Sequence, residues 1–557
     1  MFNINPGKSP LKIIPLGGVG NVTKNMYVYE YDNEIIVVDC GVGFPDEAMP
    51  GIDLVIPDVS YLRTKKNQIK GILLTHGHDD HIGALPYIIK DFMEVPIFGS
   101  RLTAALVEAK FREFGINKKV EILENGGSLS LGKYKVEWAH ITHSIPQALN
   151  YIITTPIGVV YHGSDFKFDW TPVDENPPEV GKIAMAGQKG ILCLLSDCLG
   201  AERKGATLSE KVVEETLERE IFDCTGKFIV TTQSSNISRL RQAIEVGLRH
   251  NRQIAVVGKS MESNIDVAQK LGFINLPKGR VIRTEDVPKF PGNELLLLVS
   301  GSQGQESSAL TRVASGEHQS VKIEPGDVVV FSSDPIPGNE NDVYRLIDNL
   351  AQLGARVSYT DVRDELHVSG HGSSYDLMLL LSLTKPKFVF PIGGTPRHMQ
   401  QYGLIAKKLG YQANQIILGT NGQTLELTPG TANLTTNIEI KNIMIDGLGV
   451  GDVGNIVLRD RIVMSADGIV VVIIPLEQNT GKLSGEPDVI SRGFVYMKEA
   501  EKLIEEAKNV VKNSVSSHKE RIVEWHFIKK RVEEDLGKFF FKKTKRRPMI
   551  VAVIIEV

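Results

Sequence analysis

The stretch Leu73-Leu74-Thr75-His76-Gly77-His78-Asp79-Asp80-His81 decides how this chain is read. It closes the apolar run IKGILLTH, so its polar residues sit on a loop at the C-terminal end of a strand. His76 and His78 are two residues apart, and an extended backbone points both imidazoles to one side. Asp80 and His81 then turn towards a second position. A lone histidine on an apolar background is more often structural than ligating. Three histidines and an aspartate between positions 76 and 81 point instead to a metal site. Imidazole with carboxylate suits zinc, or manganese where oxygen ligands predominate.

The 557 residues around this loop exceed one ordinary domain and predict about three or four. Hydrophobic residues make up 42% and charged residues 23%, the balance of a globular protein with ample core. A formal net charge of −4 gives no sign of nucleic acid, so any polyanion site must be local. Cys40, Cys193, Cys198 and Cys224 have no CxxC spacing and read as buried small hydrophobes in a reducing cytoplasm. The opening MFNINPGKSPLKIIPLGG lacks the apolar core of a signal peptide, and no run reaches the length of a membrane span. The expectation is a cytoplasmic protein with no membrane partner.

The first 200 residues alternate short β-branched runs with turn signals, as in NEIIVVDCG, YKVEWAHI, NYIITTP and GILCLLSD. Few helical stretches interrupt them, one at about 82–92 and another at about 102–114, which predicts a sandwich with helices packed outside. From 206 to 362, helical patterns such as ISRLRQAIEVGLRH alternate with strands such as ELLLLVS and DVVVFSS. That alternation predicts a separate α/β domain with a parallel sheet. Residues 363–427 return to the first domain. The polar TPGTANLTTN at 428–437 reads as part of a linker spanning 428–445. Residues 446–557 form a small α+β domain with helices at about 497–514 and 517–540.

The HxHxDH pattern at 76–81 resembles the signature of the metallo-β-lactamase superfamily, which implies an αββα sandwich. The superfamily's later ligands then fall on His143, in THSIP, and on Asp165, in YHGSDF. By this resemblance His76, His78 and His143 hold one cation, Asp80 and His81 begin a second site, and Asp165 bridges the two. His140 lies inside a strand and His162 beside Asp165; both read as structural or supporting. Such a pair of sites suits the activation of water against a phosphodiester. The fold alone does not choose among lactams, thioesters and phosphodiesters.

Downstream motifs narrow the choice. Asp197 ends ILCLLSD, the α/β insert follows, and then comes His367-Val368-Ser369-Gly370-His371. This resembles the β-CASP subgroup of nucleases. GGVG at 17–20, PGIDLVIPD at 50–58, SSNISRL at 234–240, GSQG at 301–304 and DGLGVGDVGNIVLRDR at 446–461 resemble bacterial ribonuclease J along nearly the whole chain. The resemblance implies 5′-to-3′ exonuclease and endonuclease activity on RNA, preferring a 5′-monophosphate. It also implies two zinc ions, with Mn²⁺ or Mg²⁺ supporting activity, and assembly as a homodimer or homotetramer. The matching phosphate pocket comprises Ser234, Ser235, Asn236, Ser369, Gly370 and His371, with His367 and Val368 on the same loop. His371 is the candidate proton donor to the leaving 3′-oxygen. Asp197 orients a histidine or positions a water. Asp446 is a candidate for a structural Ca²⁺, and KKTKRRP for either an RNA patch or a solvated face.

The chain departs from the family at two positions. A metal-ligand histidine is expected just after the strand PKFVFPI, where this sequence has Gly393. His398, five residues on, is too displaced to replace it without a rebuilt loop. Three protein ligands plus water still suffice for catalytic zinc. The alternative is a weakly active or inactive RNA-binding subunit that pairs with an active relative. Ser238 stands where relatives often carry histidine.

Overall fold

The computed structural model describes residues 9–557 except 47, 337, 448, 479, 481, 495–496 and 517–524. It divides into two compact units, Met1–Phe44 with Val55–Ile443, and Pro45–Leu54 with Met444–Val557. The start of the helix expected at 517–540 lies outside the described residues; its remainder is the helix Trp525–Thr544.

In the larger unit an eight-stranded and a six-stranded sheet face each other. Their inner faces supply Ile13, Tyr27 and Tyr29 from one side and Val136, Tyr151 and Tyr161 from the other to one buried core. Tyr29 and Tyr134 both find partners for their polar tips in this core, as burial demands, whereas the Tyr402 hydroxyl has none. The Tyr29 hydroxyl bonds His162 Nδ1 at 2.8 Å, and Tyr134 donates to the Tyr29 carbonyl at 3.0 Å. The helices Val180–Lys189, Ser374–Thr384 and Pro396–Lys408 send apolar residues, among them Ile183, Leu377 and Tyr402, into the same core. This is the predicted αββα sandwich.

Strand direction places the site. Val159–Gly163, Ile191–Asp197 and Phe388–Ile392 run parallel, with Gly163 opposite Ser196 and Asp197 opposite Ile392. Asp165, Asp197 and Gly393 therefore emerge at one end of the sheet. On the facing sheet Glu34–Val38 and Ile69–Leu73 are parallel, with Val38 opposite Leu73. Asp39 and His76 leave that sheet at its C-terminal ends.

The insert is a five-stranded, wholly parallel sheet in the order Gln253–Val257, Leu295–Val299, Phe228–Thr231, Val328–Phe331, Arg356–Ser358. Leu295 to Val299 are all buried, as expected for a strand covered on both faces.

Three local expectations change. The 82–92 helix is broken into Asp79–Ile82, Leu85–Ile88 and a 3₁₀ turn Ile89–Phe92, because Pro86 supplies no backbone donor and starts a new helix. The 428–437 stretch is not a linker. Pro429 and Gly430 form a turn, and Ala432–Asn437 returns antiparallel to Gln423–Leu427, with Leu434 opposite Leu425. It is an edge strand whose exposed face is polar, which imitates a linker in composition. Finally, residues Pro45–Leu54 belong to the C-terminal unit: the Asp53 amide donates to the Ile445 carbonyl, and Arg461 donates to that of Pro50.

That unit carries the strands Asp488–Arg492, Ile469–Leu476 and Met549–Glu556. Val470, Val472 and Ile474 pack on Ala507, Val511, Val532 and Leu536 of the two helices. Asp446, the residue expected to hold a structural Ca²⁺, is paired with the Arg461 guanidinium.

Leu195 is fully buried in the strand Ile191–Asp197, which is paired on both sides within the six-stranded sheet. Leu195→Ala should lower unfolding stability by about 2–5 kcal/mol in urea titration; a loss below about 1 kcal/mol would contradict this packing.

Candidate metal centre

The loop after Ile69–Leu73 is fastened before it presents any ligand. Thr75 donates its amide and its hydroxyl to the two carboxylate oxygens of Asp39, both at 2.8 Å. The same Asp39 accepts from His81 Nδ1 at 2.8 Å. An Nδ1–H held in this way leaves the His81 Nε2 lone pair facing inward. Asp39 sits at φ +62°, a left-handed conformation that aspartate tolerates better than most residues. His143 is oriented similarly, with Nδ1 donating to the Gly370 carbonyl at 2.7 Å. Only glycine permits that approach: a Cβ at 370 would lie 2.6 Å from His143 Cε1.

Asp165 Oδ2 is the meeting point. It lies 3.2 Å from His81 Nε2, 3.8 Å from His76 Nε2, 3.9 Å from His143 Nε2 and 3.9 Å from His371 Nε2. His143 Nε2 and His78 Nδ1 are 3.1 Å apart, and His81 Nε2 lies 3.7 Å from Asp80 Oδ2. Three overlapping ligand groups follow: His76, His78 and His143; His76, His81 and Asp165; His143, Asp165 and His371. His76 Nε2 is buried without any hydrogen-bond partner. A buried lone pair among imidazoles and a carboxylate fits a divalent cation. These clusters could hold a metal ion.

The electrostatics are mixed: against the cost of burial, Asp165, Asp39 and Asp80 hold His81 well above the ordinary histidine range, so its Nε2 must lose a proton to bind a cation. Burial and the neighbouring imidazoles hold His76 well below the ordinary histidine range, in the neutral form a cation requires. Burial alone would raise Asp165, but His81 and His371 hold it well below the carboxylate range. Burial pushes Asp80 up to about 6. Burial also disfavours charge on His371, yet Asp197 and Asp165 outweigh it and push the imidazole up to about 9.

Asp197 therefore orients His371, whose Nδ1 it holds at 2.8 Å. At Gly393 a Cβ would stand 3.4 Å from Asp197 Oδ1 and 3.8 Å from Asp165 Oδ1, aimed into the cluster with ordinary clearance. The expected ligand position is thus in place without a ligand. His398 does not fill it. Its Nδ1 accepts from the Thr395 amide at 3.2 Å, capping its own helix, and its Nε2 lies 3.4 Å from Glu202.

The remaining expected residues lie close by. Asn236 caps the helix Ile237–Arg249, its Oδ1 accepting the Arg239 amide at 3.0 Å. Ser234 and Ser235 are half-buried just before it. The Ser369 hydroxyl accepts from the His371 amide at 3.1 Å. Val368 is 5% exposed and offers little surface to a substrate. His367 is held down to about 4 by burial and by Arg239. Ser238 lines a small cavity shared with His143 and Glu210. His140 Nε2 bonds the Asn176 carbonyl at 3.0 Å, a structural role. In the basic run, Lys543 pairs with Glu506 at 2.5 Å, Arg546 donates to the Phe494 carbonyl at 2.9 Å, and Arg547 stacks on Phe541. These contacts favour a structural face over an RNA patch.

Asp39 was not among the expected site residues. Its signal was an acidic residue ending the apolar run EIIVVDCG. Asn25 was also missed; its side-chain nitrogen lies 3.1 Å from His81 Nε2, and its oxygen accepts from Tyr27 at 2.9 Å.

Known proteins share both the fold and this sequence. Family models match over three stretches: the metallo-β-lactamase superfamily at 19–162, the ribonuclease J β-CASP domain at 225–350, and the ribonuclease J C-terminal domain at 456–557. Ribonuclease J2 of Bacillus subtilis (strain 168) is 40% identical over 98% of this chain and 99% of its own. Ribonuclease J 1 of Streptococcus pyogenes serotype M3 is 37% identical over 100% and 99%. Ribonuclease J 2 of Staphylococcus aureus is 34% identical over the full length of both chains. A solved Enterococcus faecalis protein of unknown function, 15% identical, shares the fold at a TM-score of 0.53, covering 75% of this chain and all of its own. Among the described residues no helix is long and apolar enough to cross a membrane. With its ligand cluster, its parallel insert and these relatives, the chain belongs to the ribonuclease J family, metal-binding ribonucleases of the metallo-β-lactamase superfamily.

Proposed function

We propose that this ribonuclease degrades RNA from a 5′-monophosphorylated end and also cuts internally, with zinc held around Asp165 and Mn²⁺ or Mg²⁺ able to support activity. The observation that carries this reading is the convergence of four imidazole Nε2 atoms on Asp165 Oδ2 within 3.9 Å. His76, His78, His143 and Asp165 would hold one cation, and Asp80, His81 and Asp165 a second; bound there, the cations would lower the pKa of a water and neutralise phosphate charge.

The chain's own groups do the rest. Asp39 and the Gly370 carbonyl fix His81 and His143 so that their Nε2 atoms face inward. His371, protonated at neutral pH, presents Nε2–H to the leaving 3′-oxygen while Asp197 holds its Nδ1–H. Ser234, Ser235, the Asn236 amide and the Ser369–Gly370 backbone receive the 5′-phosphate. The N-terminus of the helix Ile237–Arg249 favours an anion there, without a basic surface. His367 steadies the loop. On this reading the enzyme acts in RNA maturation and decay in the cytoplasm. Exposed Ile456, Val457 and Ile462 on one helix of the C-terminal unit support assembly as a homodimer or homotetramer.

Gly393 favours a second reading, a weakly active RNA-binding subunit that works beside an active relative. Purified protein with Mn²⁺ and end-labelled RNA separates the two. Our reading expects mononucleotide release from 5′-monophosphorylated RNA, slower release from 5′-hydroxyl RNA, and none from His76→Ala protein. Binding without cleavage at any protein concentration would support the second reading.

The His371 assignment predicts an alkaline limb in the rate profile. The acid acts while protonated, so the rate falls as pH rises through its pKa, near 9 before metal binding. Asp197→Asn removes the carboxylate that raises this value. The limb should move to lower pH, with kcat falling about 10²-fold or more. An unmoved limb would exclude His371 as the acid.

A further inference from the structure

Four buried charges serve none of the roles above. Lys167 and Arg239 are 0% exposed, and Asp169 and Glu210 are 2% exposed. Lys167 Nζ donates to Glu210 Oε1 at 3.0 Å, and Arg239 Nη2 to Glu210 Oε2 at 2.5 Å. Asp169 accepts the Glu210 amide at 2.9 Å. The set is neutral overall, and its two cations hold the Glu210 carboxyl down to about 2 against the cost of burial. Packed apolar side chains would stabilise such a region as well or better, so a network of this kind is best explained by the geometry it enforces.

Its ends identify that geometry. Lys167 lies two residues after Asp165; its amide donates to the Thr142 carbonyl at 2.9 Å, and Thr142 Oγ1 donates back to the Lys167 carbonyl at 2.6 Å, next to His143. At the other end, Arg239 Nη1 donates to Ser332 Oγ at 2.6 Å and to the Leu366 carbonyl at 3.2 Å. Ser332 Oγ in turn donates to Leu366 at 2.6 Å. Leu366 precedes His367, and the Arg239 amide is the one capped by Asn236. One guanidinium therefore ties the segment holding Ser234, Ser235 and Asn236 to the loop holding Ser369, Gly370 and His371.

We infer that Arg239 is a positioning residue which, through Glu210 and Lys167, sets the phosphate pocket at a fixed distance from the metal cluster. It touches neither substrate nor metal, and it acts by holding both halves of the pocket in register. This rests on the phosphate-pocket reading given under Proposed function.

Arg239→Lys keeps the charge and the Glu210 pair but loses the fork that spans Ser332 and Leu366. Ser332→Ala removes only the shared hydroxyl, and stands in should Arg239→Lys fail to fold. Two readouts are taken on each protein. One is the ratio of Kd values for 5′-hydroxyl and 5′-monophosphorylated RNA of one sequence, measured in EDTA. The other is Mn²⁺-dependent hydrolysis of bis(p-nitrophenyl) phosphate, which needs no pocket. The binding ratio should fall about tenfold in Arg239→Lys and severalfold in Ser332→Ala, while diester hydrolysis stays within about twofold. An unchanged ratio in the folded variants, or a parallel loss of hydrolysis, would overturn the positioning role. Wild-type protein that binds both RNAs equally would instead overturn the pocket itself.

Discussion

A single carboxylate oxygen, Asp165 Oδ2, faces the Nε2 atoms of His76, His81, His143 and His371 in a nearly dry interior. Desolvation makes an unpaired charge there costly, and the surrounding imidazoles make it affordable only in a fixed arrangement. Much of the larger unit serves that arrangement. The parallel strands bring Asp165, Asp197 and Gly393 to one end of the sheet. Asp39 and the Gly370 carbonyl choose the tautomers of His81 and His143. The glycine at 370 exists so that its carbonyl can approach the imidazole.

The same requirement joins the insert to the sandwich. A cluster that only held cations would suit many hydrolases, and the phosphate pocket adds its value only when its distance from the cluster is set. The chain supplies that distance with buried ions rather than with a flexible hinge. Gly393 is the exception within this economy. In the proposed arrangement its φ of +65° and open Cβ direction would leave the second cation one protein ligand short, while the other site would keep three imidazoles and the shared carboxylate.

How much of this was legible in the sequence depends on distance along the chain. His76, His78, Asp80 and His81 are local, and a loop of fixed spacing needs no fold to be read. His143, Asp165, Asp197 and His371 were reached through family motifs, and the structure brings them to the same point. Asp39 and Asn25 escaped because their partner His81 lies 42 and 56 residues away, and nothing in a run such as EIIVVDCG distinguishes a supporting aspartate from a turn. Arg239 sat within a quoted motif, but burial of its charge follows from contacts 29 and 127 residues distant. The 428–437 strand was missed because an edge strand with a polar outer face has a linker's composition. The pairing of Asp446 with Arg461 was likewise not legible from the sequence.

The central claim is that two cations share Asp165 and that the second is weakened by Gly393. Native mass spectrometry of zinc-loaded protein, before and after brief chelation, tests it most directly beside a Gly393→His variant. The account predicts one retained zinc in the wild-type chain and two in the variant, less the cost of about 1 kcal/mol for a left-handed histidine. Full retention of two zinc ions in both proteins, or of none in either, would contradict it.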